Sequence, residues 1–226
     1  VGYPRVIYRE DNADDMVSKQ YVQRFLDATK ADMFFANKLI FVEGVAEELL
    51  LPVFARYLNK SLTDEHVLVV NMGGRYFNHF LKLFDTNNPY TINKKIVCLT
   101  DVDPCRKKNG PDEEYEACYP YEYNIDTDNY DYKHHADAVV AKYATHPNIR
   151  FYRQDVTYGK TLEYDIMREN PDCELLLTNS VSNLKEIKAM MAERDVNKMM
   201  SKMRNSEANT RIKTSIGASG WTDEEK

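Results

Sequence analysis

The sequence predicts an open α/β fold, a mostly parallel sheet flanked by helices, on three observations. Hydrophobic periodicity alternates between strand and helix from residue 16 to residue 100. The run Lys95-Ile96-Val97-Cys98-Leu99-Thr100 is nearly continuous and apolar, as expected of a strand buried on both faces. Two acidic motifs stand where hydrophobic strands run out, Glu43-Gly44 with Glu47 and Glu48, and Asp101-Val102-Asp103. In open α/β sheets, ligands gather at the carboxyl ends of the strands.

The elements follow in order. Residues 16–30 read as an amphipathic helix with Val17, Tyr21, Val22, Phe25 and Leu26 along one face. A first strand covers roughly 38–43. Gly44 makes the turn into a helix over 46–58, with Leu49, Leu50, Val53, Phe54 and Tyr57 expected to point inward and Pro52 tolerated near its start. A second strand, 66–70, breaks at Asn71-Met72-Gly73-Gly74, and a helix resumes over 76–84. The third strand is 95–100, after which Asp103-Pro104 favours a turn. Residues 136–144 are helical in pattern, 148–156 form a fourth strand, and a helix starts near Thr161 and runs to about Glu169. Parallel strands joined by helices imply right-handed crossovers.

Between 109 and 135 the pattern changes. Eight acids and one base give this stretch a charge of −7, leaving +1 for the rest of a chain whose net charge is −6. It also holds six of the sixteen tyrosines, and it reads as an acidic, Tyr-rich insertion leaving the sheet. A negative chain argues against nucleic-acid binding, but the acidity is local, and carboxylates at a metal site are cancelled by the ion they bind. Residues 181–204 read as C-terminal helix and 205–226 as a flexible tail with little to bury. There is no apolar run of membrane-spanning length and no signal-peptide pattern. The cysteines Cys98, Cys105, Cys118 and Cys173 show no CxxC pairing, which suits reduced thiols in a cytoplasm.

The strand-end acids carry the chemistry. Glu43 ends a strand and Glu47 lies in the first turn of the next helix, so one can meet a metal from the strand and the other from the helix above it. An acid at a helix start is equally explained by the macrodipole. Asp101 and Asp103 alternate on an extended segment and so can face the same way. Carboxylates brought together this way are costly without a cation, and hard oxygen ligands suit Mg²⁺ or Mn²⁺. Two such ions clamp the attacking and leaving oxygens of a phosphodiester. Gly159-Lys160-Thr161 imitates the end of a P-loop, but the glycine required five residues earlier is replaced by Gln154, so no nucleotide site is assigned. Thr161 suits an N-cap, and Glu163 can complete a second metal shell. His66, His79, His134, His135 and His146 are too scattered to specify zinc.

With these residues in place, the chain resembles a Toprim domain, a Rossmann-like fold with a glutamate after its first strand and Asp-x-Asp after its third. More closely it resembles the C-terminal nuclease region of OLD (overcoming lysogenisation defect) endonucleases. The motifs are Phe34-Phe35-Ala36-Asn37-Lys38-Leu39-Ile40-Phe41-Val42-Glu43-Gly44 with Glu47, then Val70-Asn71-Met72-Gly73-Gly74, Asp101-x-Asp103 and Thr161-Leu162-Glu163.

The resemblance implies a two-metal DNA endonuclease using Mg²⁺ or Mn²⁺. Glu43, Glu47 and Asp101 would hold one ion, and Asp101, Asp103, Thr161 and Glu163 would shape the other, with Glu43, Asp101 and Asp103 at the catalytic centre. It also implies DNA as substrate, an ATPase domain or subunit as partner, possible homo-oligomers through that region, and a cytoplasmic role in phage defence. The domain expectation is a helical connection over 1–33, a nuclease core over 34–170, a helical extension over 171–204 and a tail over 205–226. One departure is the lack of the family's Lys-Gly-Phe-Ala-like motif, which implies truncation just beyond Lys226 and impaired cleavage, with Lys160 a substitute candidate. Other readings are primase- or topoisomerase-like Toprim chemistry, a phosphatase of the haloacid-dehalogenase kind, and a non-catalytic partner-binding module.

Overall fold

The computed structural model describes residues 7–26, 28–170, 173 and 188. The expected helix over 181–204, apart from Lys188, and the tail over 205–226 lie outside the described residues. The chain divides into two compact units, Val1–Thr100 with Ala136–Arg153, and Asp101–His135 with Gln154–Lys226.

The first unit is built on a four-stranded parallel sheet. Its strands are β1 (Lys38–Val42), β2 (Val67–Asn71), β3 (Lys95–Leu99) and, after the excursion, β7 (Ile149–Tyr152). Their order is β2-β1-β3-β7, all parallel, with Phe41 opposite both Val70 and Cys98, and Cys98 opposite Phe151. Strand alternation therefore sends Leu39, Phe41, Val70, Ile96, Cys98, Ile149 and Phe151 to one face, where all are buried. Helices α1 (Ala13–Phe25), α2 (Ala28–Ala31), α3 (Val45–Tyr57), α4 (Phe77–Leu81) and α5 (Asp137–Lys142) complete the unit. Phe77, Phe80 and Leu81 of α4 and Val22 of α1 close the core with Met33 and Phe84. This is the α/β architecture the sequence predicts.

Several boundaries move for physical reasons. Helix α1 stops at Phe25, and Leu26 leaves helical geometry with ψ 72°. It buries only Ser18 and Val22, while Val17, Phe25 and Leu26 stay exposed. His66 adopts a left-handed φ of 51°, so β2 starts one residue later than expected. The inward face expected of α3 holds only in part, with Leu50 and Val53 half-buried. No α3 residue is fully buried, and Leu49 (66% exposed), Tyr57 (80%) and Phe54 (37%) face solvent. Leu49→Gln and Tyr57→Gln should accordingly shift unfolding by no more than about 0.5 kcal/mol in a denaturant titration. A loss above about 2 kcal/mol would show that these side chains are covered.

The second unit holds what the sequence reads as an excursion. It contains strands of its own, β4 (Pro104–Lys108), β5 (Glu116–Ala117) and β6 (Tyr130–His134), in an antiparallel sheet of order β5-β4-β6. Arg106 on β4 organises it. Its Nε stands 2.8 Å from Glu116, its Nη1 3.5 Å from the buried Glu122, and its guanidinium 5.1 Å from the Tyr130 ring centre. Burial pushes the Cys118 thiol up to about 12, and all four cysteines are free. Helix α6 (Leu162–Glu169) follows Thr161. Among the described residues no helix is long and apolar enough to cross a membrane.

Candidate functional site

The first unit contributes the Glu43 end of β1. Parallel register sets Phe41 opposite Cys98, so Glu43 falls level with Thr100 two residues on. The Thr100 hydroxyl donates to the Glu43 carboxylate. Arg75 Nε stands 3.8 Å from Glu43 Oε2, and the Glu43 side chain remains 16% exposed. The loop after β2 pins the same residue from the backbone. Met72 N–H donates to Val42 O at 2.9 Å and Gly74 N–H to Glu43 O at 2.7 Å. That fold-back needs φ of 70° at Gly73 and 121° at Gly74, values that glycine adopts without Cβ strain. Glu47 takes the helix-start role: its Oε2 accepts from the Gly44 N–H at 3.1 Å.

The second unit contributes the aspartates and the loop 154–161. Val102 between them is fully buried, and Asp103 turns left-handed at φ 43°, so the extended segment expected through both acids ends there. Pro104 then opens β4, a strand position where its missing N–H costs no ladder bond. Gln154 clamps this turn with both ends of its amide. Its Nε2 donates to Asp101 Oδ1 at 2.6 Å, and its Oε1 accepts from the Val102 N–H at 2.8 Å. Lys160 meets Asp103 twice, through its carbonyl, which accepts the Asp103 N–H at 3.2 Å, and through Nζ, 3.9 Å from Oδ1. The Thr161 hydroxyl accepts from the Tyr164 N–H at 3.3 Å as the N-cap of α6, and Glu163 stands exposed in the first turn. Burial pushes the Asp165 carboxyl up to about 6 although it accepts the Lys160 N–H.

Gly159 sets the path of this loop. A Cβ there would lie 2.4 Å from Gln154 Cβ and 2.7 Å from the Asp155 carbonyl oxygen. Gly159→Ala should cost about 1–3 kcal/mol of stability by overpacking. A denaturant midpoint equal to wild type would contradict that tight approach.

Glu43, Glu47, Asp101 and Asp103 each meet a protein donor or cation. Among the described residues no three His, Cys, Asp or Glu side chains come together as a metal-holding group. By donor type the set suits a hard cation, since it offers carboxylate and hydroxyl oxygens and no thiolate or imidazole. Thr100 and Gln154 were not among the predicted site residues, and Lys160 entered only as a substitute candidate for the missing lysine. Their signal was positional: Gln154 follows the end of β7 by two residues, as Asp101 follows the end of its neighbour β3.

Residues 34–103 match the family model for the overcoming lysogenization defect protein-like TOPRIM domain. Among solved structures, the C-terminal region of the Xanthomonas campestris pv. campestris OLD protein is 19% identical with a TM-score of 0.42, covering 81% of this chain and 81% of its own. The C-terminal region of the Burkholderia pseudomallei OLD protein is 17% identical with a TM-score of 0.43, covering 77% of this chain and 83% of its own. No curated protein matches the chain.

Proposed function

We propose that this chain, whose residues 34–103 match an OLD-like TOPRIM domain, is the nuclease module of an OLD-type ATPase–nuclease and hydrolyses DNA phosphodiesters with divalent metal. The observation that carries the reading is the pairing of β1 with β3. It sets Glu43 level with Thr100, and Asp101 is the next residue of the chain. Acids that leave adjacent parallel strands at their carboxyl ends occupy the position where such sheets bind ligands.

Glu43, Glu47 and Asp101 would hold one Mg²⁺ or Mn²⁺ ion, and Asp101, Asp103, Thr161 and Glu163 the other. Bound divalent ions supply charge stabilisation to the scissile phosphate and acidify a coordinated water. The chain's own groups set the geometry. Thr100 and Arg75 orient Glu43, the Gly73-Gly74 loop fixes its backbone, and Gln154 orients Asp101. Groups of this kind orient metal ligands from outside the coordination shell. DNA is the substrate class in this reading, and an ATPase region, with residues 1–33 as the connection, is the partner.

The test is nicking of supercoiled plasmid by the purified chain with Mn²⁺. Weak activity, impaired by the lack of the Lys-Gly-Phe-Ala-like motif, is expected with Mn²⁺ and none with EDTA, and Glu43→Gln should lower it at least about 100-fold, the scale of losing one transition-state stabilising group. Nicking of equal rate in Glu43→Gln would sink the reading.

A further inference from the structure

Helix α3 turns large apolar side chains outward. Val45 is 58% exposed, Leu49 66%, Tyr57 80% and Leu58, just past the helix end, 74%. A contiguous apolar patch of this kind on a folded chain marks an interaction surface. Val45, Leu49, Val53 and Tyr57 are spaced by four, so they form one ridge of the helix. Ridges of that spacing interdigitate across two facing helices in the commonest mode of helix packing.

Charge selects the helix that this face accepts. Glu48 lies in the first turn of α3 and Arg56 in the last. A rise of about 12 Å separates them along the axis, too far for the two to pair within one helix. Glu47 is already engaged, its Oε2 accepting the Gly44 N–H at 3.1 Å. A second α3 laid antiparallel across the first, centred on Pro52, sets Arg56 of each copy against Glu48 of the other. Both contacts form together, as a two-fold interface requires. Side chains this exposed would bury on the order of 600 Å² per copy, about 1,200 Å² in total, which is the lower end of specific interfaces.

We propose that α3 is a self-association surface whose occupant is α3 of a second copy of this chain. The two helices pack antiparallel through the Val45-Leu49-Val53-Tyr57 ridge and are clasped by two Arg56–Glu48 pairs. An interface of this size is weak, with a dissociation constant of about 10–100 µM. The pairing goes beyond the metal-site reading and does not depend on it. A denaturant titration at about 1 µM reads the separate chains, so the small losses stated above for Leu49→Gln and Tyr57→Gln hold beside it.

Sedimentation velocity of the 226-residue chain in EDTA, at concentrations spanning that range, tests the proposal. Wild type should pass from monomer to dimer as concentration rises. Leu49→Lys, at a position that the fold leaves exposed, should weaken the dimer at least about ten-fold without moving the unfolding midpoint. Glu48→Arg and Arg56→Glu should each weaken it at least about five-fold by setting like charges against each other, and the double variant should return to within about two-fold of wild type. Wild type that stays monomeric throughout overturns the proposal. If such a monomer also unfolds at a clearly lower denaturant midpoint on Tyr57→Gln, the chain's own residues cover this face instead. A dimer untouched by Leu49→Lys uses another surface and overturns it too. A double variant no tighter than the weaker single overturns the antiparallel pairing.

Discussion

Asp101→Ala is expected to lower Mn²⁺-dependent DNA nicking at least about 100-fold, because the proposal places this carboxylate on both ions, where charge stabilisation is strongest. The cost to the fold should be small by comparison. Asp101 is partly accessible, and Gln154 Nε2 donates to its Oδ1 at 2.6 Å. Removing the carboxylate leaves that amide donor to find another partner, a loss of about 1 kcal/mol. The two readouts separate the roles: a nicking rate near zero with a melting temperature close to wild type supports a site residue. An unchanged nicking rate contradicts the assignment, and collapse of the fold would show Asp101 to be structural.

Phe41→Ala is expected to have the largest effect on stability, about 3–5 kcal/mol, the range for emptying a large aromatic from a packed core. Phe41 is fully buried on β1, with β2 and β3 on either side, and its ring meets Phe84 edge-on at 6.2 Å. Domains of ordinary stability have about 5–15 kcal/mol in total, so the variant should be partly unfolded at physiological temperature. Equilibrium denaturation measures it, and a loss below about 1 kcal/mol would mean that the sheet core collapses onto the vacated space.

The parallel sheet was legible because β1 and β3 are short apolar runs ending in acids, and burial on the core face gives such runs a strong signal. Helix α3 misled for the opposite reason. Val45, Leu49, Leu50, Leu51, Val53 and Phe54 surround its axis, so apolar spacing does not choose a face, and the structure leaves Leu49 and Tyr57 in solvent. The antiparallel sheet of the excursion was missed because its strands are written in charge and tyrosine. Tyr130-Asp131-Tyr132-Lys133-His134 does alternate in burial, but Arg106, Glu116 and Glu122 supply much of what holds it, and no hydropathy pattern records them.

The sequence points to Glu43, Asp101 and Asp103 as candidates from their place past hydrophobic strands. The groups that orient them were not legible. Gln154 reads in sequence only as the residue that spoils a P-loop, whereas in the structure both ends of its amide hold the Asp101-Val102 turn. Thr100 sits inside what reads as the end of an apolar strand, and only the β1–β3 register reveals that its hydroxyl faces Glu43. Such roles depend on pairings between segments far apart in the chain, which local pattern does not encode.

The most direct measurement of the central claim is Mn²⁺ binding by isothermal calorimetry, wild type beside Asp101→Ala, at a pH where both carboxylates and the protein fold are intact. Saturable binding is expected in wild type and none in Asp101→Ala. Binding that survives the substitution, or its absence from wild type, would contradict a metal site built on these strand-end acids.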